Sequence, residues 1–343
     1  MNNLNSLARY LTLILGLIAV LLTCGYANAV DDGARAYWKG RAGTNAVSVQ
    51  HFNLNMQASD ALQFDPAHYI YPSADVDADI VVASLARHMT LFDRPASVLV
   101  TLVQGSVDAD FNVSLTPPAF LPPGVVPNAT FSESSSGFAD PAVQLDVNLL
   151  GTPPLKAGFD LMNYEPTWTL DVAVMLGIPV GEYDDDKVVN LGLNRYYGRI
   201  ALPFKYHFGA FSPGYMKSLE IVPSVWLFGE NDDYVGQNLK NEPLWQLEAH
   251  WTHDFTRHFF GSIDLLYRKG FQSEFDGVDV GDDIEIGDLG FTLNFQVNDN
   301  LMLRTSISSN VFGDDDIDNS MVRLQLIYAW HNAMENMKKL GSE

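Results

Sequence analysis

Five consecutive segments near the C-terminal end decide the fold, and in each of them apolar and polar side chains alternate. They read LWQLEAHWTH at Leu244–His253, FFGSIDLLYR at Phe259–Arg268, DLGFTLNFQV at Asp288–Val297, LMLRTSISSN at Leu301–Asn310 and VRLQLIYAW at Val322–Trp330. A period of two is typical of β-strands whose two faces have different surroundings. The sequence therefore predicts five successive antiparallel strands joined by turns.

The length of these segments separates two β architectures. A strand that crosses a bilayer at a tilt needs about 9–11 residues, whereas strands of water-soluble proteins average about five or six. The five segments have the longer length, and their apolar faces are rich in Phe, Trp, Leu and Tyr. Apolar-out, polar-in segments of this length indicate a transmembrane β-barrel, and a soluble β-sandwich is the alternative.

Seven further strands are predicted upstream, which gives a barrel of about twelve strands. They are Ala46–Asn55, Ile80–Phe92, Ser97–Val103, Asp140–Leu150, Trp168–Ile178, Tyr196–Phe208 and Ser218–Phe228. The polar-aromatic segment Gln57–Asp79 and the Pro- and Ser-rich stretch Gly105–Gly137 are predicted to lie outside strands, and Ala157–Asn163 is predicted to hold a short helix. Long or acidic loops alternate with shorter connections, three of them tight turns at Asp93–Ala96, Thr256–Arg257 and Asn298–Asn300. This alternation predicts that the long loops lie on the extracellular rim.

The N-terminus reads as an export signal. Arg9 precedes the apolar run Leu11–Leu22, and Ala27-Asn28-Ala29 is a cleavage site of the A-x-A type. We therefore expect residues 1–29 to be removed, residues 30–330 to form an outer-membrane barrel with Val30–Thr44 as an irregular lead-in, and residues 331–343 to form a periplasmic tail. The only cysteine, Cys24, lies in the signal, so the mature chain offers no disulfide, thiol catalyst or thiolate metal site.

Charge excludes one class of partner. The chain carries 20 basic and 42 acidic residues, and Arg9 is the only charge in residues 1–29, so the mature net charge is −23. Nucleic acid phosphates would be repelled by such a surface. The expected partners are outer-membrane lipid and lipopolysaccharide, a small-molecule solute, and the barrel-assembly machinery during biogenesis.

Acidic clusters fall in the loops assigned to the outer rim. Carboxylate oxygens suit divalent cations, but no cluster has EF-hand spacing, and the alternative is a solvated rim that keeps the protein soluble. The weak metal candidates are Asp184, Asp185, Asp186, Asp232, Asp233, Asp314, Asp315 and Asp316. No cofactor is predicted.

The polar faces of the strands supply candidates for the barrel interior: Arg199, Lys205, His207, Glu220, Glu248, His250, Asp264, Arg268, Arg304 and Arg323, with Asp146 and Asp171 as further acids. Such a mixture lines an aqueous channel or pairs into a closed polar core, and the sequence leaves both open. His250 and His253 point to opposite faces and cannot share a metal. The chain has no G-x-S-x-G or P-loop pattern, and we predict that it is not an enzyme.

Several motifs together resemble a known family. The segment Gly181–Gly236 contains GEYD, NLGLNR and VWLFGENDDY, and Pro243–Trp251 reads PLWQLEAHW; ARAYWKGRAGTNAVS at Ala34–Ser48 and GFADPAVQLDVNLLG at Gly137–Gly151 add to the likeness. In these features the chain is similar to the MetA-pathway of phenol degradation family of outer-membrane transporters. The resemblance implies a barrel and the uptake of small, aromatic molecules. The chain departs from the family in continuing past Trp330 and in its more acidic loops.

The sequence thus predicts an outer-membrane channel or transporter that passes small apolar or aromatic molecules through its lumen. The main alternative is a structural or surface-interaction barrel with a plugged lumen and cation-binding acidic loops. A soluble periplasmic β-protein comes third.

Overall fold

The computed structural model describes residues 31–59, 62–65, 68–116, 128–156, 164–280 and 283–331. In these ranges the chain forms nineteen strands and no α-helix, and so no helix that could span a membrane. The helix predicted at Ala157–Asn163, residues 1–29 and most of the C-terminal tail lie outside the described residues.

Twelve strands close a single antiparallel barrel, as predicted, and β8 and β9 together occupy the position of one of these twelve strands. The barrel strands are β1 Thr44–Ser59, β3 His68–Leu91, β4 Arg94–Thr116, β6 Ala142–Leu150, β7 Trp168–Gly177, β8 Tyr197–Ala201 with β9 Phe204–Phe208, β10 Lys217–Phe228, β13 Leu244–Thr256, β14 Phe259–Gly270, β17 Ile284–Gln296, β18 Leu301–Gly313 and β19 Ile317–His331. Each pairs with its sequence neighbour in the barrel, and β1 pairs with β19 to close the ring. Closure leaves no edge of unpaired backbone groups in the bilayer.

The described residues contain six shorter strands besides those of the barrel. β2 Leu62–Asp65 and β5 Asn128–Phe138 extend the barrel sheet, whereas β11 Asn231–Tyr234, β12 Gln237–Asn241, β15 Ser273–Phe275 and β16 Val278–Val280 form a separate four-stranded sheet. The predicted strand Tyr196–Phe208 is interrupted at Leu202–Pro203. Proline has no N–H to donate to the ladder, and β8 therefore ends before it and β9 begins after it.

The outward face of the strands confirms the predicted register. Phe291 and Leu324 expose about half of their side chains on the outside, whereas their neighbours Thr292 and Arg323 are buried inside. The outward apolar residues form the band that a membrane barrel needs.

The prediction that Gln57–Asp79 and Gly105–Gly137 lie outside strands is wrong over most of their length. β3 and β4 pair without a register shift from Leu91↔Arg94 to Tyr69↔Thr116, and a bilayer requires only about 9–11 residues of such a strand. The remaining length stands clear of the membrane at the rim that carries the long loops, which we call the long-loop rim.

The polarity of both faces inverts along β3. Val81 and Leu85 face outward in the membrane part, whereas Asp75, Asp77 and Asp79 face outward beyond it. The inward residues change in the opposite sense, from Ser84 to the apolar Ile80, Ala78, Val76 and Ala74. Outside the bilayer the sheet thus has the water-out, apolar-in arrangement of an ordinary soluble protein.

The inward apolar residues at this rim pack into one cluster, which we call the cap cluster. The small sheet closes over it with Tyr234, Leu239 and Phe275, and the loop before β8 adds Val189. Its other members include Phe52, Leu54, Met56, Val107, Phe111, Leu191, Tyr197, Trp226, Phe271, Ile286 and Met321. Burying this surface stabilises the loops, at about 25 cal/mol per Å² of apolar area.

Asp140 ties the loop before β8 to the barrel. It lies in the break between β5 and β6, and its two carboxylate oxygens accept hydrogen bonds from the backbone N–H groups of Gly181 (2.8 Å) and Leu193 (2.8 Å). Burial raises the pKa of Asp140, and these hydrogen bonds act in the opposite direction.

The opposite rim, which we call the short-turn rim, has tighter connections. The turn predicted at Asp93–Ala96 is displaced: β4 already begins at Arg94, and the turn residues are Phe92 (φ 48°) and Asp93 (φ 56°). Two consecutive positive φ angles define a type I′ hairpin, whose twist matches that of the strands.

Candidate functional site in the barrel interior

The N-terminal segment Asp31–Gly43, which we call the inner segment, lies inside the barrel. Its sequence, DDGARAYWKGRAG, has no period of two and so forms turns instead of a strand. Gly33 (φ 87°) and Arg35 (φ 63°) take left-handed conformations, and the N–H of Ala36 donates to the carbonyl oxygen of Gly33 (3.1 Å). The segment ends where the N–H of Gly43 donates to the carbonyl oxygen of His88 on β3 (2.8 Å).

Asp32 anchors the segment to β8 and β13. Nη1 of Arg199 lies 2.8 Å from both carboxylate oxygens of Asp32, and Nη2 donates to Oε1 of Glu248 (2.7 Å). The hydroxyl of Tyr37 donates to Asp32 as well (2.5 Å). Arg199 and Glu248 are buried in the wall, so the cost of desolvating these charges is offset only while the partners stay in place.

Arg35 forms a second anchor. Its Nη2 lies 2.7 Å from Oδ1 of Asp254, and its backbone N–H donates to Oε2 of Glu220 (2.9 Å). The guanidinium also lies 4.4 Å from the ring centroid of Trp38 and 4.0 Å from that of Phe260, positions that favour cation–π attraction.

Lys39 forms a third anchor, on the wall made by β6, β7 and β9. Its ammonium pairs with Asp146 and lies 3.6 Å from Oδ2 of Asp171. Lys205 pairs with the same Asp171 and donates to the carbonyl oxygen of Tyr37 (2.6 Å). Asp171 is thus shared between the wall lysine Lys205 and the segment lysine Lys39.

Asp31 is the first described residue of the segment. Its Oδ1 is 3.0 Å from Nη2 of Arg323, and its Oδ2 is 3.7 Å from Nδ1 of His250. His250 in turn contacts Asp264 at 2.8 Å. Nearby, Arg268 on β14 pairs with Asp288 on β17 (3.0 Å).

The sequence-derived interior candidates occupy this region. The structure buries nine of the ten inside the barrel, namely Arg199, Lys205, Glu220, Glu248, His250, Asp264, Arg268, Arg304 and Arg323. His207 is partly exposed and lies against the rings of Trp38 (5.3 Å between centroids) and Phe211 (5.1 Å). The sequence left open whether these residues line an aqueous channel or pair into a closed polar core. In this arrangement they pair as in a polar core that is built around the inner segment.

The sequence pattern does not reveal the partners of these residues. Val30–Thr44 is predicted as an irregular segment before the barrel, whereas in the structure Asp31, Asp32, Arg35, Tyr37 and Lys39 make most of the contacts that neutralise the wall. A signal was present, because the segment has no strand pattern and yet carries two acidic residues, three basic residues and two aromatic rings close together: Asp31, Asp32, Arg35, Lys39, Arg41, Tyr37 and Trp38. What the sequence lacks is any indication of which strands face it.

A cavity of about 600 Å³ lies between the inner segment and the short-turn rim. Its wall on β1, β3 and β4 carries small or uncharged side chains, including Ser48, Ser84 and Leu99, and Ile327 and Met302 add apolar surface from β19 and β18. The charged anchors Arg35, Lys39, Asp146 and Asp254 also border this cavity. The lining is therefore asymmetric, with the charged contacts of the inner segment in one part and small or uncharged side chains on β1, β3 and β4 in the other.

The acidic metal candidates all lie at the long-loop rim. Asp184, Asp185 and Asp186 are exposed and bring carboxylate oxygens within 4.8 Å of one another, and repulsion from Asp185 contributes to raising the pKa of Asp233 after the effect of burial. Asp314 accepts a hydrogen bond from the N–H of Glu285 (2.7 Å). Asp232, Asp315 and Asp316 join no cluster of three metal-ligating groups within the described ranges.

Comparison with solved structures finds outer-membrane barrels that match along most of the chain. The COG4313 outer membrane channel from Pseudomonas putida F1 aligns with a TM-score of 0.60 at 16% identity, covering 88% of this chain and 100% of that one. A Pseudomonas aeruginosa FadL homologue (TM-score 0.39, 9% identity, 83% and 90% coverage) and the KdgM porin (TM-score 0.38, 9% identity, 83% and 99% coverage) are more distant, and neither bears on function. We found no match among curated proteins.

Comparison with protein families agrees with the motifs in the sequence. The family described as "Putative MetA-pathway of phenol degradation" matches residues 59–315, which is most of the barrel. The chain is a closed twelve-stranded barrel of the outer-membrane type, and it belongs to this family.

Proposed function

We propose that this protein is an outer-membrane transporter for small, neutral, apolar or aromatic molecules, and that the inner segment must shift for them to pass. The observation that carries the proposal is the asymmetry of the interior. The charged side chains Arg35, Lys39, Asp146 and Asp254 border the cavity of about 600 Å³ but are occupied with contacts of the inner segment. The cavity wall on β1, β3 and β4 consists of small or uncharged side chains such as Ser48, Ser84 and Leu99. This volume lies in the range of small-molecule sites, about 300–1,000 Å³.

The cap cluster supports an apolar solute. A molecule entering from the long-loop rim meets the side chains of Phe111, Trp226 and Phe271 before it meets the charged band. An ion or a sugar would have to lose its hydration there, whereas an aromatic ring exchanges one apolar surface for another.

The charge of the rim favours neutral solutes over acids. Asp75, Asp77, Asp184, Asp185 and Asp186 are exposed at the rim, and the mature chain carries a net charge of −23. Such a field repels anions from the entrance. We therefore infer selection for neutral aromatic molecules over aromatic carboxylates, with the long-loop rim facing the cell exterior.

The test is a reversible lock on the inner segment. A Cβ atom built on Gly40 lies 2.8 Å from Cδ2 of His88, so cysteines at these two positions are close, and the mature chain is predicted to contain no other thiol. Initial uptake of a labelled neutral aromatic would be measured in intact cells producing the Gly40→Cys/His88→Cys variant, before and after reduction. Each single-cysteine variant serves as the control.

We expect uptake to stop on oxidation and to return on reduction, with an aromatic carboxylate of equal size taken up more slowly throughout. Equal uptake in the oxidised and reduced forms would contradict the role of the segment.

The second candidate is a barrel with a permanently filled lumen and a structural or surface-interaction role. It is favoured by the number of buried ion pairs that hold the segment. It predicts no uptake above the empty-vector rate in either redox state, which the same experiment measures.

A further inference from the structure

Three metal-ligating side chains meet in the barrel interior where the inner segment contacts β13 and β14. Nδ1 of His250 lies 2.8 Å from Oδ1 of Asp264 and 3.7 Å from Oδ2 of Asp31. The three side chains are only 1%, 7% and 10% exposed, and their donor atoms all lie within 4.8 Å of one another.

These separations suit a small divalent ion. Donors at about 2.0–2.2 Å from a tetrahedral zinc ion are about 3.4 Å apart, and the two distances from His250 fall on either side of that value. The other ring nitrogen, Nε2, lies 3.4 Å from Oε2 of Glu248. A carboxylate behind the ligating histidine fixes the ring and its tautomer in many metal sites.

Each carboxylate turns its other oxygen towards a different side chain. Oδ1 of Asp31 faces Nη2 of Arg323 at 3.0 Å, which leaves Oδ2 directed towards His250. Oδ2 of Asp264 accepts from the hydroxyl of Thr292 (2.6 Å), which leaves Oδ1 directed towards the same ring nitrogen. Two oriented carboxylate oxygens and one imidazole nitrogen therefore converge on one point.

Hydrogen bonds from the His250 ring alone do not satisfy all of the carboxylates that surround it. The imidazole faces three carboxylates, those of Asp31, Asp264 and Glu248, but it has only two N–H groups to donate. Asp31 and Asp264 therefore compete for the proton on Nδ1. A divalent cation would contact both at once.

We propose that Asp31, His250 and Asp264 bind one divalent ion of the zinc class, which joins the inner segment to the barrel wall. A nitrogen and two oxygens suit Zn²⁺, Co²⁺ or Ni²⁺, whereas Ca²⁺ and Mg²⁺ prefer oxygen alone. Binding displaces to solvent the proton that His250 shares with Asp264, and the neutral ring keeps its Nε2 proton towards Glu248. Since Asp31 is the only ligand from the inner segment, the ion holds that segment in place.

The probe is Co²⁺, whose visible absorption reports its coordination. The full mature protein, without a histidine tag and folded in detergent, would be titrated with Co²⁺ and then with Zn²⁺, and equilibrium dialysis would give the stoichiometry. We expect one tightly bound ion per chain, displaced by Zn²⁺. His250→Gln should abolish this binding, and Asp31→Asn should weaken it at least tenfold.

His253→Gln is the matched control, because His253 lies on the same strand but on the opposite face. If His250→Gln fails to fold, Asp31→Asn decides the matter, since it alters the inner segment and not the wall. No stoichiometric binding, or equal binding by the wild-type and Asp31→Asn proteins, would refute the site. The measurement needs no transport, so its outcome is independent of the transporter proposal.

Discussion

Removing Asp32 should loosen the inner segment without dismantling the barrel wall. The Asp32→Ala change deletes both oxygens that lie 2.8 Å from Nη1 of Arg199. Leaving one member of a buried ion pair without its partner costs about 3–5 kcal/mol. Arg199 keeps Glu248 at 2.7 Å, so we take the lower end, about 3 kcal/mol. At 1.4 kcal/mol per factor of ten, the population with a displaced segment should rise roughly 100-fold.

A buried cysteine would report that population. Ala34 is 0% exposed, and Ala34→Cys would carry the only thiol of the mature chain if residues 1–29 are removed. Its labelling by a polar thiol reagent should be slow in the parent protein and roughly 100-fold faster with Asp32→Ala, because labelling follows the open population when the segment moves faster than the reagent reacts.

The control is Asp93→Ala at the short-turn rim. Asp93 pairs with Lys156, but the two side chains are 80% and 58% exposed, and pairs of this kind contribute little. Labelling should therefore stay at the parent rate. Equal rates in the parent and Asp32→Ala proteins would refute the view that this pair holds the segment, and immediate labelling of the parent would mean that the segment is not seated in solution.

Three further predictions follow from the wall and the rim. Phe291→Arg places a charge on the lipid face, at a cost of about 2–4 kcal/mol near the midplane. Its unfolding midpoint in denaturant should therefore fall below that of Phe291→Leu when both variants are folded into lipid. Equal midpoints would mean that this strand does not lie in the bilayer. Epitope tags at Asp185 and Asp315 should be labelled on intact cells, and a tag after Gly341 should not. The reverse labelling pattern would mean that the barrel has the opposite orientation in the membrane. Burial raises the pKa of Tyr183 to about 12, above its ordinary value of about 10. The stability that this adds is present below pH about 10 and is lost as the pH rises through about 12, so thermal melting of Tyr183→Phe should vary less with pH across this range than that of the parent, and parallel curves would contradict the assignment.

The sequence by itself determined the barrel and its register. Along strands such as β13 and β17 every second side chain contacts lipid, and hydrocarbon accepts only apolar groups. The alternation of Leu247 with Glu248, or of Phe291 with Thr292, therefore shows which side chains face lipid and which face the barrel interior. The twelve strands were predicted for the same reason, with most ends displaced by a few residues, although β3 and β4 extend much further than predicted, to His68 and Thr116.

The same reasoning failed where β3 and β4 leave the bilayer. There the outward face becomes polar and the inward face apolar, so Asp75, Asp77 and Asp79 alternate with Ala74, Val76 and Ala78 in the opposite sense. A search for lipid-facing strands does not recognise that pattern. If the inverted alternation is interpreted as that of a strand in water, it correctly predicts that β3 and β4 continue beyond the bilayer.

Only the tertiary structure decided which partners the interior residues have. The sequence supplied Arg199, Glu248 and His250 as inward polar residues, but a strand pattern states the face of a residue and not what lies opposite it. Their partners Asp31 and Asp32 are separated from them by more than 160 residues along the chain. Charges brought into a low-dielectric interior must find partners, and it is the closure of the barrel around the N-terminal segment that brings these partners within reach.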